Sequence, residues 1–99
     1  MFNFTNSTNG TTSTFYLEGR LDTVSSPQLE EALKPIYAEA ETLVLDFAKL
    51  EYISSAGLRV LLSAQKKMQK KGGTIIKNAN SDIKEIFEVT GFADILTVE

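Results

Sequence analysis

The stretch from Thr42 to Leu62, TLVLDFAKLEYISSAGLRVLL, constrains the fold more than any other part of the chain. Leu43, Val44 and Leu45 form a nearly unbroken apolar run, which reads as a buried strand. A short loop follows, and Ser54 and Ser55 then stand where a long helix begins, running from about Ser55 to Lys71 and closed by Gly72-Gly73. Gly57, Leu58, Val60, Leu61, Leu62, Ala64 and Met68 cover an arc of about 200° on that helix. So wide a stripe predicts packing against a sheet and against a neighbouring helix. The remaining arc holds Ser55, Arg59, Ser63, Lys66 and Lys70, with Ser55 and Arg59 one turn apart on the polar face.

The flanking sequence supplies the other elements. Phe2 and Phe4 alternate with polar residues, as do Phe15 and Leu17, and Asn9-Gly10 between them is a strong turn signal. This predicts an N-terminal hairpin, after which Gly19-Arg20-Leu21-Asp22 opens a polar loop. Ser26 before Pro27 reads as a cap followed by the first helical position. Leu29, Ala32, Leu33, Ile36, Tyr37 and Ala40 then recur on one helical face, and Pro35 predicts a kink or an early end. The apolar strand is expected over Thr42–Phe47 and a further strand at Thr74-Ile75-Ile76. A third helix follows, capped by Ser81 or Asp82, with Ile83, Ile86, Phe87 and Thr90 inward and Gly91 at its end. Ile95, Leu96 and Val98 suggest a last short strand. The order β-β-α-β-α-β-α-β predicts a small α/β domain over residues 1–99 with a mixed, mostly parallel sheet, each helix serving as a right-handed crossover.

Composition removes whole classes of function. With no cysteine and no histidine, the chain has no disulfide, no zinc site with Cys or His ligands, no thiol catalysis and no Ser-His-Asp triad. Composition leaves open only a metal site made of carboxylates, and no calcium-loop pattern of spaced Asp and Asn occurs; the expectation is no metal and no cofactor. The net charge of −3 argues against nucleic acid as the main partner. The basic cluster Lys66, Lys67, Lys70 and Lys71 falls in the last turns of the second helix, where cations favour the dipole. No apolar stretch reaches the roughly 18 residues of a membrane span, and no basic-then-apolar leader opens the chain. The expectation is a cytoplasmic protein without direct membrane contact. The sequons at Asn3, Asn6 and Asn9 then read as strand and turn residues.

A strand feeding a helix that opens Ser54-Ser55-Ala56-Gly57 makes a ready site for a charged group. The helix start offers free N–H groups and the positive end of the macrodipole. The plainest role for Ser54 is as the cap. Asp22 has an equally plain role, bonding to backbone in its turn.

Ile53-Ser54-Ser55-Ala56-Gly57-Leu58-Arg59-Val60-Leu61-Leu62 resembles the signature of STAS domains of the bacterial anti-sigma factor antagonist type. Gly19-Arg20-Leu21-Asp22 resembles that family's G-x-L-D turn. Leu43–Phe47 resembles its central strand with Asp46 near the end, and Asn78-Ala79-Asn80 with Ile86–Phe92 resembles its closing segment. The resemblance implies a phosphoacceptor serine two residues before the glycine, at Ser55, with Ser54 the alternative. Ser54 stands where the family often has aspartate. Asp22, Ser54, Ser55, Ala56, Gly57 and Arg59 would make the partner-binding surface. The implied mechanism is a switch without catalysis. The unmodified domain, a monomer when free, binds an anti-sigma factor serine kinase and releases a sigma factor. Phosphorylation ends that binding, and a serine phosphatase restores it.

Two other readings stand beside this one. A STAS subunit of a membrane lipid-transport complex would dock on its ATPase and needs no phosphorylatable serine. An enzyme with Ser55 as nucleophile would lack a histidine base and the G-x-S-x-G elbow.

Overall fold

A computed structural model describes residues 2–99; Met1, counted in the expected 1–99 domain, lies outside the described residues. Strand β1 (Phe2–Asn9) pairs antiparallel with β2 (Thr12–Leu21) in unbroken register from Phe2↔Gly19 to Asn9↔Thr12. The loop is Gly10-Thr11, one residue later than the Asn9-Gly10 signal. Gly10 takes φ +63°, the left-handed value that the first position of such a tight hairpin turn demands.

Helix α1 (Ser26–Glu39) then leads to β3 (Thr42–Ile53), and α2 (Ser55–Met68) to β4 (Thr74–Lys77). Helix α3 (Ser81–Thr90) and a one-turn helix α4 (Phe92–Ile95) precede β5 (Thr97–Val98). The sheet order is β1-β2-β3-β4-β5, antiparallel only between β1 and β2. Every crossover steps the same way along the sheet, so right-handed connections lay the helices on one face. Burial agrees: Phe15, Leu17, Leu43, Leu45, Phe47 and Ile76 face a core closed by Leu29, Leu33, Leu61, Met68 and Phe87, while Tyr16, Glu18 and Lys77 lie exposed. Val44, on the opposite side from Leu43, is nonetheless buried, flanked in register by Thr14 and Ile75. The apolar run is thus a central strand with both neighbours in place.

Strand β3 corrects the expected end at Phe47. It runs on to Ile53, with no loop before the serines. Its buried residues Phe47, Leu50 and Ile53 come at intervals of three, which no regular strand allows. Two β-bulges explain the spacing. Between Tyr16 and Glu18, two residues apart, β3 advances three, from Asp46 to Lys49; between Gly19 and Arg20 it advances two, from Leu50 to Tyr52. Each extra residue turns the next apolar side chain back inward.

The helix ends differ from the expected ones. Ser25, not Ser26, precedes the first turn of α1, and Ser26 is a buried helical residue whose hydroxyl donates to the Asp22 carbonyl. Pro35 does not end α1, which continues to Glu39. Pro35 is exposed, so the Glu31 carbonyl it leaves unpaired faces water, while Leu33 and Ile36 hold the helix to the core. Helix α2 stops at Met68, short of Lys71, and the chain turns back with Lys71 and Gly73 N–H groups both donating to the Met68 carbonyl. Lys71 therefore serves a different dipole: its ammonium binds the Tyr37 and Ala40 carbonyls at the end of α1, at 2.9 and 3.1 Å. Asn80, rather than Ser81 or Asp82, caps α3, and Thr90 is exposed, its hydroxyl turned back onto the Ile86 carbonyl. Gly91 ends α3 in the left-handed conformation as expected. Ile95 belongs to α4 and is exposed, leaving β5 with only Thr97 and Val98.

Candidate functional site

The carboxyl ends of β2, β3 and β4 open on one edge of the sheet, where parallel strands deliver their loops and where α/β proteins place their sites. The start of α2 sits at its centre. Ser54 is extended, with φ −97° and ψ 176°, and its hydroxyl accepts the Gly57 N–H at 3.3 Å. Its carbonyl takes the Leu58 N–H at 2.9 Å, and its own N–H donates to the Leu21 carbonyl at 2.9 Å. That last bond ties the helix start to the end of β2, so Asp22 is brought beside Ser54. Ser54 is thereby committed to structure.

Ser55 is free by contrast. It is exposed at the first helical position, and its hydroxyl has no hydrogen bond among the described residues. The Ser55 and Ala56 N–H groups likewise find no acceptor among the described residues, and the first turn of α2 contains no acidic side chain. A negative group on Ser55 would therefore meet two open donors and an uncompensated dipole. Arg59 is exposed one turn further on and makes no ion pair among the described residues.

Gly57 lies on the packed side of α2, as the apolar stripe predicted. It is buried, and a Cβ there would lie 2.7 Å from Ile53 Cγ1 and 3.0 Å from Leu21 Cγ. Its missing side chain lets α2 descend onto the ends of β2 and β3, so it shapes the surface from beneath. Ala56 is half-buried beside it.

Asp22 adopts its structural role. Its Oδ1 accepts the Val24 and Ser25 N–H groups, both at 3.0 Å, while the Ser25 hydroxyl lies 2.7 Å from the Arg20 carbonyl and 3.1 Å from Oδ1. These bonds, the Ser25 N–H foremost, hold the carboxyl below its ordinary value, with the Arg20 charge adding a little. The charged carboxylate organises the loop that flanks Ser54. A shallow groove of about 310 Å³ beside it is lined by Phe2, Arg20, Asp22, Val24, Ser25 and Gln28, and does not include Ser55.

Two residues of this edge carried no signal as site residues. Arg20 is paired in register with Tyr52, and its guanidinium lies 4.3 Å from the Tyr52 ring centroid. Only the second β3 bulge sets Tyr52 opposite Arg20, and a bulge leaves no mark in a single sequence. Val24, 79% exposed, adds an apolar contact point on the same loop. Among the described residues no cluster of three or more His, Cys, Asp or Glu could hold a metal ion, and no helix is long and apolar enough to cross a membrane.

Comparison with known proteins identifies the family and the fold. The family model for the STAS domain matches residues 3–99. BtrV of Bordetella bronchiseptica is 37% identical over 84 residues, covering 83% of this chain and 72% of its own length. The anti-sigma-B factor antagonist of Listeria monocytogenes is 30% identical over 87 residues, covering 85% and 75%. In fold, the chain is similar to an anti-sigma factor antagonist from Mycobacterium paratuberculosis, with a TM-score of 0.90, 22% identity and 99% and 85% coverage. SpoIIAA in its unphosphorylated form matches with a TM-score of 0.84, 19% identity and 98% and 88% coverage.

Proposed function

Because the chain belongs to the STAS domain family, we propose that it is an anti-sigma factor antagonist switched by phosphorylation of Ser55. The observation that carries this reading is the division of labour between the two serines. Ser54 spends its hydroxyl on the cap, while Ser55 stands exposed beside two unpaired N–H groups on a helix start without acid. The relatives' names support the partner class, and a neighbour in fold, SpoIIAA, has been solved in a phosphorylated form.

In this reading the unmodified edge, with Ser55, Arg59, Asp22 and the Ser54 cap, docks on an anti-sigma factor that is also a serine kinase. A sigma factor is thereby released. Phosphorylation adds about −1.5 to −2 charge and three acceptor oxygens. The free domain tolerates that charge at the helix start. Against a partner surface fitted to a neutral hydroxyl the phosphate must be desolvated, and a loss of ~3 kcal/mol would weaken binding more than a hundredfold. A serine phosphatase reverses the change. Arg59 either pairs with the phosphate or contacts the partner.

The test uses the cognate kinase and ATP, found by pull-down from the native host. Ser55→Ala should bind the kinase yet remain unphosphorylated, and Ser55→Asp should bind more weakly. A phosphate mapped to Ser54 by mass spectrometry, or equal partner affinity before and after phosphorylation, would defeat the assignment.

A further inference from the structure

The first charged residue of the chain is Glu18, so the whole β1–β2 hairpin up to Leu17 is uncharged in a protein that is 23% charged. Strand β1 is also a sheet edge, eight residues long, without proline and without a bulge in its register. Sheet edges are ordinarily protected by lysine, proline, bulges or shortness, and β1 has none of these, whereas the opposite edge, β5, is only two residues.

The outward groups can be assigned by parity. A two-residue loop closes on a hydrogen-bonded pair, Asn9 with Thr12, so Asn9, Ser7, Thr5 and Asn3 exchange bonds with β2. Phe2, Phe4, Asn6 and Thr8 then direct their N–H and C=O groups away from the sheet. One bond confirms the parity: the Phe4 N–H, left over by the ladder, donates to the Asn3 side-chain oxygen at 2.9 Å.

We propose that β1 pairs antiparallel with β1 of a second copy, joining two five-stranded sheets across a two-fold axis at Thr5. Centred there, Phe2 faces Thr8 of the other copy and Phe4 faces Asn6, so all four outward residues on each strand find partners. The half-buried Phe2 and Phe4 rings gain cover from those neighbours. Charge selects this occupant. Each chain carries −3, and a charged edge would meet its own like charges on the copy, but an edge of Asn, Ser, Thr and Phe meets none. The pairing is weak because one strand buries little area and Phe4 must give up its bond to Asn3. Association is therefore expected only at high concentration, in the range of about 10 µM to 1 mM. The monomer expected from sequence is the dilute form, and Ser55, at the start of α2, lies outside the hairpin that pairs.

Sedimentation equilibrium from about 10 µM to 1 mM tests it. The mass should rise from the 10.9 kDa monomer toward twice that value. Asn6→Pro should abolish the rise while leaving the circular dichroism unchanged, because the Asn6 N–H points outward and proline is tolerated there. Thr5→Lys and Thr5→Glu cover the case in which that variant misfolds. Each alone should weaken association by at least about tenfold, and an equimolar mixture should restore it. A chain that stays monomeric at 1 mM overturns the proposal. So does a dimer that keeps its affinity in both Thr5 variants.

Discussion

Helices α2 and α3 begin alike and end up with opposite roles. Each opens with an extended polar cap that accepts the N–H three residues on, Ser54 from Gly57 at 3.3 Å and Asn80 from Ile83 at 2.8 Å. Asn80 goes further and donates its side-chain amide to the Leu50 carbonyl, and Asp82 puts a carboxylate in the first turn of α3. Helix α3 thereby has the better cap and a charge on its dipole, although its Ser81 and Asp82 N–H groups, like those of Ser55 and Ala56, find no acceptor among the described residues. Helix α2 has the weaker cap and no acid in its first turn; both helices open on an exposed serine, Ser55 and Ser81, but only Ser81 has a carboxylate beside it. An unsatisfied helix start costs stability, and what it leaves behind is room for a charge that comes and goes.

The largest effect expected from this contrast lies under α2. Gly57→Ala should destabilise the domain by about 1–3 kcal/mol, because the new methyl collides with Ile53 and Leu21 at the carboxyl ends of two strands. Urea denaturation measures it, and a wild-type midpoint would mean that Gly57 is a contact residue and nothing more.

The caps come next. Asn80→Ala should cost about 1–2 kcal/mol, since it loses the cap and the link to Leu50, whereas Ser54→Ala should cost about 0.5–1 kcal/mol. If Ser54→Ala proves the costlier, α2 is not the loosely finished helix described above.

A smaller effect tests the open dipole directly. In the free domain, Ser55→Asp should raise stability by about 0.3–1 kcal/mol, and Ser81→Asp should gain less because Asp82 already faces that dipole. Thermal melts at low ionic strength compare the two, and equal gains would erase the distinction.

The smallest concerns the loop beside α2. Since folding lowers the Asp22 carboxyl below 3.8, its contribution is present above that pH and is lost as pH falls through the folded value. The stability advantage of the wild type over Asp22→Asn should therefore shrink from pH 5 toward pH 2. An advantage that persists at pH 2 would show that the carboxylate charge does not organise the loop.

Much of this was legible in the chain itself. The hairpin, the central strand, the wide apolar stripe of α2 and the left-handed Gly91 follow from local rules of period, turn chemistry and capping. The exposed Ser55 and the capping Ser54 follow too, because a helix start is defined within a few residues. Boundaries read less well where a local signal had competitors. Pro35 marks a helix end by its own chemistry, but the buried Leu33 and Ile36 on either side outweigh it. Ser26 and Asp82 are good caps in isolation, yet Ser25 and Asn80 take those places.

What the sequence determined by itself was therefore the set of elements and the serine at the start of α2, since both depend on neighbours within a turn or two. Tertiary structure alone decided the rest. The two bulges of β3 appear only against β2, and they make Leu50 and Ile53 inward and set Tyr52 opposite Arg20. Gly57 is small because Leu21, 36 positions earlier, lies beneath it. Lys71 serves the end of α1 because the turn after α2 carries it there. Side-chain periodicity acts through the backbone a few residues at a time, whereas these contacts exist only once parallel strands from distant segments have been brought into register.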